Sequence, residues 1–141
     1  MKRNFGNFFE RWTRGGTKLT DVEFDLLQHA VNSLPPSLRS IVESQFDSYN
    51  LVQREVDGRS LNFYRIKGGK VDREGLPLLE MSVEEAPLIR LTATVNGDSK
   101  PIHANLHAVT GHVFCMSLNR RAPAKGVVMV LKIKQSWRSN F

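Results

Sequence analysis

Near Asn50 the spacing of apolar residues changes from a repeat of about 3.6 to strict alternation. A chain that is helical first and alternating afterwards has few ways to bury its apolar face. The usual solution lays the helices on one face of an antiparallel sheet.

The helical part has three segments. Residues 3–13 predict a short helix, because Phe5, Phe8, Phe9 and Trp12 fall at i, i+3, i+4 and i+7. Arg3, Arg11 and Arg14 lie on its other side, and Gly15-Gly16 ends it as a hinge. A second helix begins at Thr20-Asp-Val-Glu23, the pattern of a capping box, with Leu19 and Phe24 placed as a hydrophobic staple. Phe24, Leu27, Ala30, Val31 and Leu34 form its apolar stripe. Pro35-Pro36 breaks that helix, and Pro36 can open a third near its N1 position. Leu38, Ile41, Val42, Gln45 and Phe46 form the stripe of this third helix.

The alternating part predicts strands over 51–56 and 59–66 around a two-residue Asp57-Gly58 hairpin turn, with Gly68-Gly69 ending the second strand. Residues 76–82 read as a short edge strand because of Pro77. In 88–95, Ile89, Leu91, Ala93 and Val95 point one way and Arg90, Thr92 and Thr94 the other. Asn96-Gly97 turns the chain into Ile102, Ala104, Leu106 and Ala108, with His103, Asn105 and His107 facing away. Phe114, Met116 and Leu118 join that apolar face only if the intervening loop has an odd length, so Val109-Thr110-Gly111 is expected as a bulged turn. A polar loop over 119–126 leads to a last strand, 127–134, with Val127, Met129, Leu131 and Ile133 on one face.

The expected fold is therefore α+β: two or three N-terminal amphipathic helices packed on one face of a mainly antiparallel sheet of five to seven strands. It forms a single domain over 1–141, with a basic N-terminal helix and hinge (1–16), a helical pair (19–47) and the sheet (51–134). The length of 141 residues suffices for one core. Cys115 stands alone, so an internal disulfide is excluded, and a reducing, cytoplasmic setting is expected. No apolar run approaches the ~18 residues of a membrane-spanning helix.

The net charge of +6 is unevenly placed. Residues 1–20 carry five cations against Glu10, and 119–141 carry six cations and no acid, so the middle of the chain is net negative. Two basic ends meeting in space would make one positive face; scattered, they would only solubilise.

Catalytic and metal patterns are thin. His103 and His107 have the i, i+4 spacing that chelates zinc on a helix, but in a strand that spacing spans roughly 13 Å. Two Zn–N bonds of about 2.1 Å cannot bridge it. His112 lacks a matching acid or thiol partner, and His29 on a helix is incidental. Cys115 shares the histidine face but has no activating helix N-terminus. Glu84-Glu85 reads as a turn rather than a carboxylate pair. Gly68-Gly69-Lys70 lacks the rest of a phosphate loop. No enzyme and no cofactor are expected.

Two surfaces remain for a protein partner: the Phe5/Phe8/Phe9/Trp12 helix and the sheet face around His103, Asn105 and His107. The helix, about three turns long, is marginal alone in water. Its aromatic face needs its own domain, another protein or an anionic membrane to pack on. Size and layout suit a non-enzymatic protein-binding module, an adaptor or a toxin-neutralising (immunity-type) protein acting by surface recognition. The alternative is a nucleic-acid-binding module using Arg3, Arg11, Arg14, Arg120, Arg121, Lys132, Lys134 and Arg138. An enzyme with an unrecognised site on the sheet is the second alternative.

Overall fold

The computed structural model describes residues 18–139. The expected first helix, with Phe5, Phe8, Phe9, Trp12, Arg3, Arg11 and Arg14, and the Gly15-Gly16 hinge lie outside the described residues. The described chain forms two α-helices, α1 (Asp21–Asn32) and α2 (Pro36–Ser48). Eight strands follow: β1 (Leu51–Arg54), β2 (Ser60–Tyr64), β3 (Ile66–Lys67), β4 (Lys70–Val71), β5 (Glu85–Val95), β6 (Ile102–Val109), β7 (His112–Leu118) and β8 (Val128–Lys134). A 3-10 turn, Ser136–Ser139, closes the described chain.

Local chemistry accounts for the helices. The Thr20 hydroxyl accepts the Glu23 N–H at 3.1 Å, and the Glu23 carboxylate accepts the Thr20 N–H at 2.9 Å, completing the capping box. Leu19 and Phe24 are both buried. Pro36 occupies the first turn of α2, as its fixed φ favours.

Six strands form one antiparallel sheet in the order β1-β2-β7-β6-β5-β8, and β3-β4 is a small separate hairpin. The helices bury their stripes in one cluster with Val52, Leu61, Phe63, Leu91, Ala93, Ile102, Leu106, Met116 and Leu118. Gln45 is the polar member of the α2 stripe and is fully buried. Its Nε2 donates to the Pro77 and Gly111 carbonyls at 2.7 and 2.8 Å, and its Oε1 accepts the Val113 N–H at 2.9 Å. The helix is thereby tied to the β6–β7 turn and to the loop before β5. At the start of α1, the buried Glu23 carboxylate also pairs with Arg54 of β1, whose Nε donates to Oε2 at 2.8 Å.

Several expectations are corrected. Residues 76–82 form no strand; they run as an irregular segment that plugs the core with Leu76 and Leu79. The Leu79 N–H bonds the Gly111 carbonyl at 3.0 Å instead of entering a ladder. Asp57-Gly58 sits in a longer hairpin loop, because the Glu55 N–H bonds the Ser60 carbonyl at 2.9 Å and leaves four residues outside the ladder. Beyond Gly68-Gly69 the chain folds back as β4, and Glu85 lies in β5 rather than a turn.

The β6–β7 turn has two residues, not three: Val109 pairs with His112, and Thr110 and Gly111 both adopt positive φ, 45° and 89°. Such a turn would send Met116 and Leu118 to the wrong face. A bulge between His107 and Ala108 on one strand and Phe114 on the other restores them, Met116 opposite Leu106 and Leu118 opposite Ala104. Phe114 is the extra residue. It leaves the core and sets its ring 6.3 Å from that of His107. A second bulge, at Leu88, lets Leu88 and Ile89 be buried consecutively. A third, at Leu131 of β8, breaks the expected common face of Val127, Met129, Leu131 and Ile133. Met129 pairs with Thr94, which faces away from the helices, whereas Ile133 pairs with the core residue Leu91.

Candidate interaction surface

Alternation places three rows of side chains on the sheet face away from the helices. Register joins Lys134, Arg90, Asn105, Ser117 and Ser60 in one row across β8, β5, β6, β7 and β2. Lys132, Thr92 and His103 form the next row, and His107, Cys115 and Asn62 the row on the other side. His103, Asn105 and His107, the residues expected here, are thus brought together on one half-buried face.

The histidines are held by different neighbours. His103 Nδ1 lies 3.0 Å from Thr92 Oγ1, and its backbone N–H donates to Asn119 Oδ1 at 2.8 Å. His107 Nε2 lies 2.9 Å from Ser117 Oγ. Burial lowers the His107 pKa below its usual value, and the Glu85 carboxylate opposes this. The ring is therefore neutral at physiological pH. Its cross-strand neighbour Cys115 is a buried free thiol. Burial, then the Glu55 and Glu85 carboxylates, push its pKa up to about 11, while a hydrogen bond with Ser60 acts the other way. A protonated thiol beside a neutral imidazole is a packing pair with negligible thiolate, which is the nucleophilic form. Among the described residues no group of three or more His, Cys, Asp and Glu side chains could hold a metal ion. No described helix is long and apolar enough to cross a membrane.

Arg3, Arg11 and Arg14 lie outside the described residues, and the expected cations that are described sit on different elements. Arg120 lies beyond the end of β7, where its Nη2 donates to the Lys100 carbonyl at 2.6 Å and lies 3.6 Å from Asp98. Arg121 follows it and runs its aliphatic stem over Gly58, where an added Cβ would lie 2.8 Å from Arg121 Cγ. Arg138 hydrogen-bonds Gln135 and lies over the Trp137 ring, 5.3 Å from its centroid. Lys132 and Lys134 lie on β8 instead, and the sheet supplies a third cation that sequence reading did not select, Arg90, directly opposite Lys134.

The alternation of Lys132 and Lys134 suits an edge strand protected by lysine, and the strand order places β8 at an edge. Among the described residues β8 is the last strand of the sheet and pairs only with β5. Val127, Met129, Leu131 and Ile133 are 73%, 60%, 57% and 41% exposed. No known protein family matches the chain, and no curated protein or solved structure matches it either.

Proposed function

We propose that this chain is a small, non-enzymatic, cytoplasmic protein-binding module, an adaptor or a toxin-neutralising (immunity-type) protein that acts by surface recognition. The observation that supports it is the exposure of Val127, just before β8, and of Met129, Leu131 and Ile133 along β8, a strand whose outer edge no other described strand pairs with. Contiguous apolar side chains rimmed by charge mark interaction sites on soluble domains. The polar face around His103, Asn105 and His107 runs from the sheet interior toward that edge and would form the surrounding contact zone. Six cations and no acid over 119–141 favour a target with an acidic surface and select against a cationic one.

Capture from native lysate tests the reading. A Met129→Asp/Leu131→Asp protein of unchanged melting temperature should lose a protein that the wild type retains. Equal capture by both proteins, or none by either, would count against it. Nucleic-acid binding is the second reading, favoured by the juxtaposition of Arg90, Lys132 and Lys134. It predicts heparin retention that falls steeply with salt and weakens when Arg90, Lys132 and Lys134 are replaced.

A further inference from the structure

β8 offers two recognition elements on one strand. Among the described residues, no strand pairs with its backbone on the side away from β5. Free backbone N–H and C=O groups on such an edge are a template for another strand. Its side chains change character along its length. Val127 to Val130 is wholly apolar; after the bulge at Leu131, Lys132 and Lys134 alternate with Ile133.

The charge of this edge identifies its occupant. Lys132 and Lys134 lie on the face away from the helices, and Arg90 stands across from Lys134 on β5. None of the three has an acidic partner among the described residues. A second copy joined edge to edge would add three more cations to the same interface, and like charges that meet across strands destabilise the pairing. The chain's own residues 1–20 are also cationic. An added strand with carboxylates at two alternate positions would place both against Lys132, Lys134 and Arg90, and the apolar residue between them would lie on the helix side beside Ile133.

We propose that β8 is the acceptor edge for an extended acidic segment of a partner protein, which adds as a seventh strand with alternate Asp or Glu side chains on the Arg90/Lys132/Lys134 face. This deepens the protein-binding reading and rests on it.

The probe is a fluorescein-labelled nine-residue peptide alternating Val with Glu, compared with a Val/Lys peptide. The full-length wild-type chain should bind the Val/Glu peptide saturably and the Val/Lys peptide not at all. Lys132→Glu/Lys134→Glu should weaken Val/Glu binding by about tenfold or more. Lys132→Gln/Lys134→Gln should weaken it less, and serves as the variant should charge reversal impair folding. Amide exchange over 128–134 should slow when the Val/Glu peptide is added, because strand addition bonds those backbone groups.

Absence of Val/Glu binding would overturn the proposal. So would binding without protection of 128–134, or a β8-mediated dimer in sedimentation that Met129→Lys dissociates. Binding of a single-stranded oligonucleotide through the same lysines, with no response to the peptide, would assign the cations to nucleic acid instead. If wild type still captures a lysate protein that Met129→Asp/Leu131→Asp loses while the peptide fails, the protein-binding reading stands and strand addition falls.

Discussion

Arg90 on β5 and Lys134 on β8 face each other directly across the sheet, two cations in a cross-strand pair on an exposed face. Like charges opposite one another oppose sheet pairing by roughly 0.2–1 kcal/mol. Arg90→Thr removes the repulsion and installs a good strand former. We expect a gain in unfolding free energy within that range, read by urea denaturation and shrinking as salt screens the pair. A loss of stability would mean that Arg90 has a favourable role that its neighbours do not reveal.

Gln45 joins three backbone groups that have long sequence separations from it. Gln45→Leu fills similar space but leaves the Val113 N–H and the Pro77 and Gly111 carbonyls without this partner. Each unsatisfied buried group costs about 1–3 kcal/mol. The expected destabilisation is about 2–4 kcal/mol, with faster amide exchange at Val113 and Leu79. A variant within about 0.5 kcal/mol of wild type would show that water or a shift of the 76–81 loop replaces the side chain.

The Glu23–Arg54 pair joins the start of α1 to the end of β1. Hydrogen bonding to Glu23 raises the Arg54 pKa despite partial burial. Arg54→Ala strands a buried carboxylate and should cost about 3–5 kcal/mol. Thr20→Ala removes only the capping hydroxyl and should cost about 1 kcal/mol. Equal costs in thermal melts would mean that the carboxylate is held by its helix cap and not by Arg54.

His107 and Cys115 make opposite pH predictions. The His107 pKa is lowered in the folded state, so its contribution is present above the unfolded value of about 6.5 and is lost as pH falls through the folded pKa. The Cys115 pKa is raised to about 11, so its contribution is present below the unfolded value and is lost as pH rises toward 11. His107→Gln should flatten the acid limb of a stability profile, and Cys115→Ala the alkaline limb. Iodoacetamide should alkylate Cys115 at neutral pH at least about a hundredfold more slowly than a free thiol. Rapid alkylation at pH 7 would contradict the burial of the thiol.

Short-range chemistry was enough to read much of this chain. The capping box, the Pro35-Pro36 break and the Asn96-Gly97 turn depend on residues within a few positions of one another, and each appears where it was expected. Alternation likewise placed Ile89, Leu91, Ala93 and Val95 inward and His103, Asn105 and His107 outward without any partner strand being known.

Three other features depend on what lies alongside. The bulge at Phe114 reverses the facing implied by a two-residue turn, and the bulge at Leu131 splits the last apolar stripe. Parity along one strand carries no record of an extra residue opposite another. The strand order leaves β8 outermost, with Met129 and Leu131 in solvent; the lysines at 132 and 134 suit such an edge, but which strand lies beside it is decided by the sheet. Arg90 gains significance only from Lys134, which lies 44 positions away along the chain and one strand across the sheet. Periodicity and turn chemistry are local properties of a polymer. Facing after a bulge, edge status and charge neighbours are properties of pairing, and they arise only when distant segments pack together.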